Sequence, residues 1–112
     1  MMVRIKGTPI TNDADPKRGM VIDFSDLKKI VGEQIVKPFD HALILKSDSR
    51  FKGIEQKNER VQYVDYQPTC ENMVIDFAER IKAQLPSHIE LHSVFLRETN
   101  SSYAEWYASD NA

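Results

Sequence analysis

The sequence predicts an α+β fold, an antiparallel β-sheet with two helices on one face. Three observations carry this. Alternating or β-branched runs stand near both ends of the chain, two stretches of helical periodicity lie between them, and the strands cluster instead of alternating one by one with helices. With 112 residues there is room for one compact domain, 1–112, in which two helices pack on a small sheet, and none for a second core.

Val3 to Lys6 alternates apolar and basic residues, the period of a strand with one covered face, and Gly7-Thr8-Pro9 ends it. Asn12 to Gly19 concentrates Asn, Asp, Pro and Gly, which accept turn dihedrals. The chain is expected to reverse there and to resume as an apolar strand at Met20 to Ile22, opening with a hairpin-like unit. Ser25 is a suitable N-cap, and Leu27, Ile30, Val31 and Ile35 then share one helical stripe. Pro38, with its ring and missing N–H, is expected to stop this helix, giving Asp26 to Val36. Asp40-His41-Ala42-Leu43-Ile44-Leu45 follows directly, and the charged, aperiodic stretch from Lys46 to Glu59 reads as a surface loop.

Val61 to Tyr66 reads as a short strand. After Pro68, Thr69 can cap a helix over Cys70 to Gln84, with Glu71 at the positive end of its dipole and Pro86 beyond its end. Its apolar face is Met73, Val74, Phe77, Ala78, Ile81 and Leu85. Ile89 to Arg97 and Tyr103 to Tyr107 are β-branched and aromatic runs joined by Thr99-Asn100-Ser101-Ser102, the pattern of a closing antiparallel hairpin.

Composition narrows the function. Mixed charges netting −2 offer no basic face to nucleic acid or to a lipid surface. The chain has no run of about 18 apolar residues and no basic-then-apolar leader, so a cytoplasmic location is expected and membrane-spanning or secretory readings are set aside. One cysteine, Cys70, can make neither an internal disulfide nor a multi-thiolate metal site.

Three segments carry a resemblance: Gly19-Met20-Val21-Ile22-Asp23-Phe24 before the first helix, Phe39-Asp40-His41 after it, and Pro68-Thr69-Cys70-Glu71-Asn72 opening the second. A fourth, Arg97-Glu98-Thr99, ends the penultimate strand. In this order and spacing they resemble the 6-pyruvoyl-tetrahydropterin synthase / 6-carboxy-tetrahydropterin synthase family, over Met2 to about Tyr107. The resemblance implies the tunnelling fold, in which the sheets of several subunits join side by side into a barrel, with active sites between subunits. It therefore implies a homo-oligomer, a trimer or hexamer.

Asp40 and His41 resemble the family's catalytic proton-transfer pair. Imidazole titrates near neutrality, and a neighbouring carboxylate can fix its tautomer. Glu98 resembles the pterin anchor: an ionised carboxylate can accept both parallel donors of the pterin edge. Thr69, Cys70 and Glu71 match the helix start that lines the same substrate pocket. A thiol at a helix N-terminus can ionise early, yet the family's catalytic cysteine belongs to an N-terminal region to which Cys70 does not correspond. Without the family, Asp40 caps the turn after Pro38, His41 is a half-exposed loop histidine, and Glu98 is a strand-end carboxylate in solvent.

Zinc is expected for the family, held by three histidines near its N-terminus. Met1 to Lys6 resembles only the tail of the family's second strand, so the chain reads as N-terminally shortened and no residue of it is assigned to the metal. His88 and His92 are four apart but straddle a loop and a strand, where that spacing does not converge. The resemblance implies a lyase acting on 7,8-dihydroneopterin triphosphate; the residues do not separate its products, and a 6-carboxy-tetrahydropterin synthase of queuosine biosynthesis is expected because the short, compact chain looks bacterial. The alternatives are a 6-pyruvoyl-tetrahydropterin synthase, a zinc-free pterin-binding or partner subunit, and a small interaction domain without ligand.

Overall fold

The computed structural model describes residues 1–16, 18–48 and 60–111. Strand β1 (Met2–Gly7) is followed by helix α1 (Phe24–Val31), a π-helical turn (Gly32–Val36) and a short continuation α2 (Lys37–Phe39). Strands β2 (Ala42–Lys46) and β3 (Arg60–Val64), helix α3 (Cys70–Gln84), strands β4 (Ile89–Arg97) and β5 (Tyr103–Tyr107) and a 3₁₀ turn (Ala108–Asn111) complete the order.

The expected α+β class holds. An antiparallel sheet of order β1-β4-β5 is covered by α3, whose Val74, Phe77, Ala78 and Ile81 are buried against Leu91, Val94, Ala104 and Trp106. Their spacing along the helix is that of one apolar stripe, and each large side chain removed from water contributes roughly 1.5–3 kcal/mol. The first helix joins the same core through buried Ile35 and Phe39, with Ile30 and Val31 half-buried beside them.

The register along β1 and β4 is interrupted. Arg4 faces Ser93 but Ile5 faces Leu91, so His92 is the extra residue of a bulge. The bulge resets the strand's alternation, which lets Leu91 and Val94, three apart, both turn toward α3.

Four sequence expectations are corrected. The first helix does not end before Pro38: it continues to Phe39, because the wider π-helical turn lets the Lys37 N–H reach Gly32 O and leaves the proline's missing N–H without a role. The helix is capped by Asp23, whose carboxylate accepts from the Ser25 N–H at 2.9 Å, and not by Ser25. Met20 to Ile22 is not a strand; the reversal is closed by Ile10 N–H to Met20 O and Gly19 N–H to Ile10 O, at 2.8 and 2.7 Å. Lys46 belongs to β2, which pairs with β3 in parallel as a separate two-stranded unit, so not every strand is antiparallel. Ser47 and Asp48 form a turn, as the expected loop requires, and the rest of that loop, residues 49–59, lies outside the described residues.

Candidate active site

Helix α3 starts where the sequence places it. Thr69 is the N-cap, its Oγ1 accepting from the Asn72 N–H at 3.2 Å, and the Asn72 side chain donates to Gln67 O at 3.0 Å. Cys70 is buried at the first turn, and its thiol donates to Leu96 O of β4 at 3.4 Å. The helix start is thereby joined to the strand that ends in Arg97 and Glu98.

Glu98 is held by the hairpin that follows. Its N–H donates to Ser102 O at 2.9 Å, and Thr99 Oγ1 accepts from the N–H groups of Ser101 and Ser102. Pro68, Cys70, Met73, Leu96, Arg97 and Glu98 line one cavity of about 130 Å³. Burial pushes the Cys70 thiol above its ordinary value, and the negative charges of Glu98 and Glu71 add to the effect. The thiol is therefore kept protonated, the reverse of what an activated helix-terminal cysteine needs. Thr69 and Glu71 are exposed and do not line this cavity; the Thr69 hydroxyl is committed to its cap.

Asp40 and His41 also lie outside that cavity. They form the turn between α2 and β2, with His41 Nε2 at 3.7 Å from Asp40 Oδ2, within ion-pair range but beyond a hydrogen bond. Their side chains are 90% and 56% exposed for His41 and Asp40 respectively. Asp40 is extended, and His41 takes a left-handed backbone, φ 53°, that swings the chain from the helix into β2. A residue with a Cβ pays about 1–2 kcal/mol for that conformation.

Two sets of contacts around this turn were not expected from the sequence. Arg60, at the start of β3, donates from Nη1 to Asp40 O at 2.9 Å and from Nη2 to Lys37 O. Beneath the turn, Tyr66 donates to Asp76, Asp76 pairs with Arg80 at 2.8 Å, and the Arg80 guanidinium lies 4.9 Å from the centre of the Phe39 ring. Phe39 in turn meets Phe77 edge-on at 4.8 Å. Burial, reinforced by the bond to Asp76, holds the Tyr66 hydroxyl well above its usual range. The Asp76–Arg80 spacing of four was legible as a helix pair; its contact with Tyr66 and Phe39 was not.

Among the described residues no three side chains of His, Cys, Asp or Glu come together as a metal site would need. His88 lies in the turn before β4 and His92 within the strand, where its Nδ1 is 3.1 Å from Ser93 Oγ. No helix among these residues is long and apolar enough to cross a membrane.

Comparison with known proteins identifies the family. The family model for 6-pyruvoyl tetrahydropterin synthase matches residues 2–109. The 6-carboxy-5,6,7,8-tetrahydropterin synthase of Haemophilus influenzae is 33% identical over 111 residues, covering 95% of this chain and 76% of that protein. The protein of the same name from Rickettsia typhi is 33% identical over 94 residues, covering 80% of this chain and 68% of its own length, and that of Rickettsia conorii is 32% identical over the same length. The chain belongs to the 6-pyruvoyl tetrahydropterin synthase family.

Proposed function

We propose that this protein is a lyase of the pterin synthase family that converts 7,8-dihydroneopterin triphosphate to 6-carboxy-tetrahydropterin, on the route to queuosine. The relatives at about one-third identity all bear the 6-carboxy name, which favours this product over 6-pyruvoyl-tetrahydropterin. The observation that carries the reading is the cavity shared by Cys70 and Glu98 at the start of α3. In it Glu98 would accept the two parallel donors of the pterin edge, a charge-assisted contact that selects the ring and fixes its orientation. The protonated Cys70 thiol forms wall and not nucleophile.

Asp40 and His41 are the proton-transfer pair. The imidazole can take a proton from the substrate side chain and return it, with the carboxylate orienting the ring. Since both side chains stand outside the Glu98 cavity in one chain, we assign the pair to the pocket of a neighbouring copy. The outer edges of β1 and β5 are unpaired among the described residues, which is what side-by-side joining of sheets requires.

Because no residue of 1–112 is assigned to zinc, the test is to express the whole reading frame with any residues encoded ahead of Met1, grow it with zinc, supply 7,8-dihydroneopterin triphosphate and identify the product by mass spectrometry. The 6-carboxy product is expected, with turnover lowered by about 100-fold or more in His41→Ala, the usual scale for loss of a general acid or base. Sedimentation should give a trimer or hexamer. Tight pterin binding without any product would sink the lyase reading and leave a binding subunit.

A further inference from the structure

We infer that Arg60 is a positioning residue: its guanidinium holds the turn that presents Asp40 and His41. The inference rests, for its consequence in catalysis, on the assignment of that pair to proton transfer. Its structural part stands on contacts alone. α2 ends at Phe39, so the carbonyls of Lys37 and Asp40 have no partner within the helix, and they lie at the negative end of its dipole. Arg60 supplies both partners at once, Nη1 to Asp40 O at 2.9 Å and Nη2 to Lys37 O.

One planar fork thus spans the last helical turn and the residue beside His41. A guanidinium is suited to this because its donors are fixed relative to one another, so satisfying both carbonyls also fixes their separation. The strand pairing works in the same direction. Arg60 is the register partner of Ala42, the residue after His41, so the parallel ladder of β2 and β3 anchors the turn on its far side while the side chain anchors its near side. His41 sits between the two anchors with φ 53°. A histidine has an alternative in the extended region, and with one anchor cut the turn is free to relax toward it. The imidazole would then no longer be held beside Asp40.

The experiment compares Arg60→Ala, Arg60→Lys and His41→Ala in the full-length protein by two independent readouts. The first is NMR: the ¹³Cα and ¹³Cβ shifts of His41 report its left-handed backbone. Arg60→Ala is expected to move them to extended values with the Trp106 indole signal unchanged, whereas Arg60→Lys, a point charge without the fork, moves them part of the way. The second is turnover. In Arg60→Ala, kcat falls by about 10- to 100-fold, the cost of a small misplacement of a catalytic group, with KM nearly unchanged, and His41→Ala is not made worse by adding Arg60→Ala. Unmoved His41 shifts in folded Arg60→Ala or Arg60→Lys overturn the inference, whether or not turnover is measurable. A His41→Ala protein as active as the wild type would instead overturn the proton-transfer assignment, and the shifts alone would then decide whether Arg60 holds the turn.

Discussion

The cavity beside Glu98 and the turn at Asp40 and His41 are built in opposite ways. The first is a by-product of the core: Cys70 is buried, its thiol reaches across to Leu96 O, and Glu98 leaves the end of a strand locked by five register pairs to β5. The second is exposed, carries an unfavourable backbone conformation, and is held from below by Phe39 and from the side by Arg60. A recognition pocket gains from rigidity inherited from packing. The proton-transfer role proposed for Asp40 and His41 needs solvent or substrate access, and the geometry of the turn must come from specific polar contacts, because both side chains stand largely in solvent.

The largest effect is expected in the core that lies between the two regions. Phe77 is 3% exposed, follows Cys70 by two turns of α3 and meets Phe39 beneath the turn. Phe77→Ala is expected to cost about 3–5 kcal/mol, read by urea unfolding, and to disturb both regions together. If the His41 signals in NMR stay in place in the folded variant, the turn is independent of the core.

Glu98→Gln tests the cavity alone. Exchanging one acceptor of the carboxylate for a donor is expected to weaken neopterin binding by about 1.5–3 kcal/mol in calorimetric titration, with unfolding stability unchanged because the side chain is exposed. Equal affinities for the two forms contradict the pterin-anchor assignment.

His41 tests the turn alone. Because its φ is positive, His41→Gly is expected to be more stable than His41→Ala by about 1 kcal/mol, glycine paying no Cβ penalty there. Thermal unfolding of the pair decides it, and a more stable alanine variant would mean that the turn relaxes.

The smallest effect concerns Cys70, whose thiol burial pushes up, with the charges of Glu98 and Glu71 adding to this. A folded value raised above the unfolded one means that the contribution to stability is fully present below the ordinary thiol value and is lost as pH rises through the folded one. Alkylation by iodoacetamide at neutral pH should therefore be slow in the folded protein. It should speed up modestly in Glu98→Gln, which removes one of the named charges; an unchanged rate would place the Glu98 carboxylate away from the cavity.

Local chemistry was legible over much of the chain, although the first helix takes its cap from Asp23 and not from Ser25. Thr69 caps α3, the apolar stripe from Val74 to Ile81 faces the sheet, and Tyr103 to Tyr107 returns along β4, because capping, helical period and hairpin turns act over a few residues. The juxtaposition of Cys70 with Glu98 could be expected from the family resemblance but not from spacing. What tertiary structure alone decided joins residues far apart in the chain. β2 found a parallel partner in β3, and a bulge at His92 turned Leu91 and Val94 to one side. Arg60 reached across 20 residues to Asp40 O, and Tyr66 across 10 to Asp76. Hydrophobic period records which side a residue faces but not what stands opposite, so contacts made by single polar side chains to distant backbone or carboxylate groups leave no pattern to read until the chain has folded.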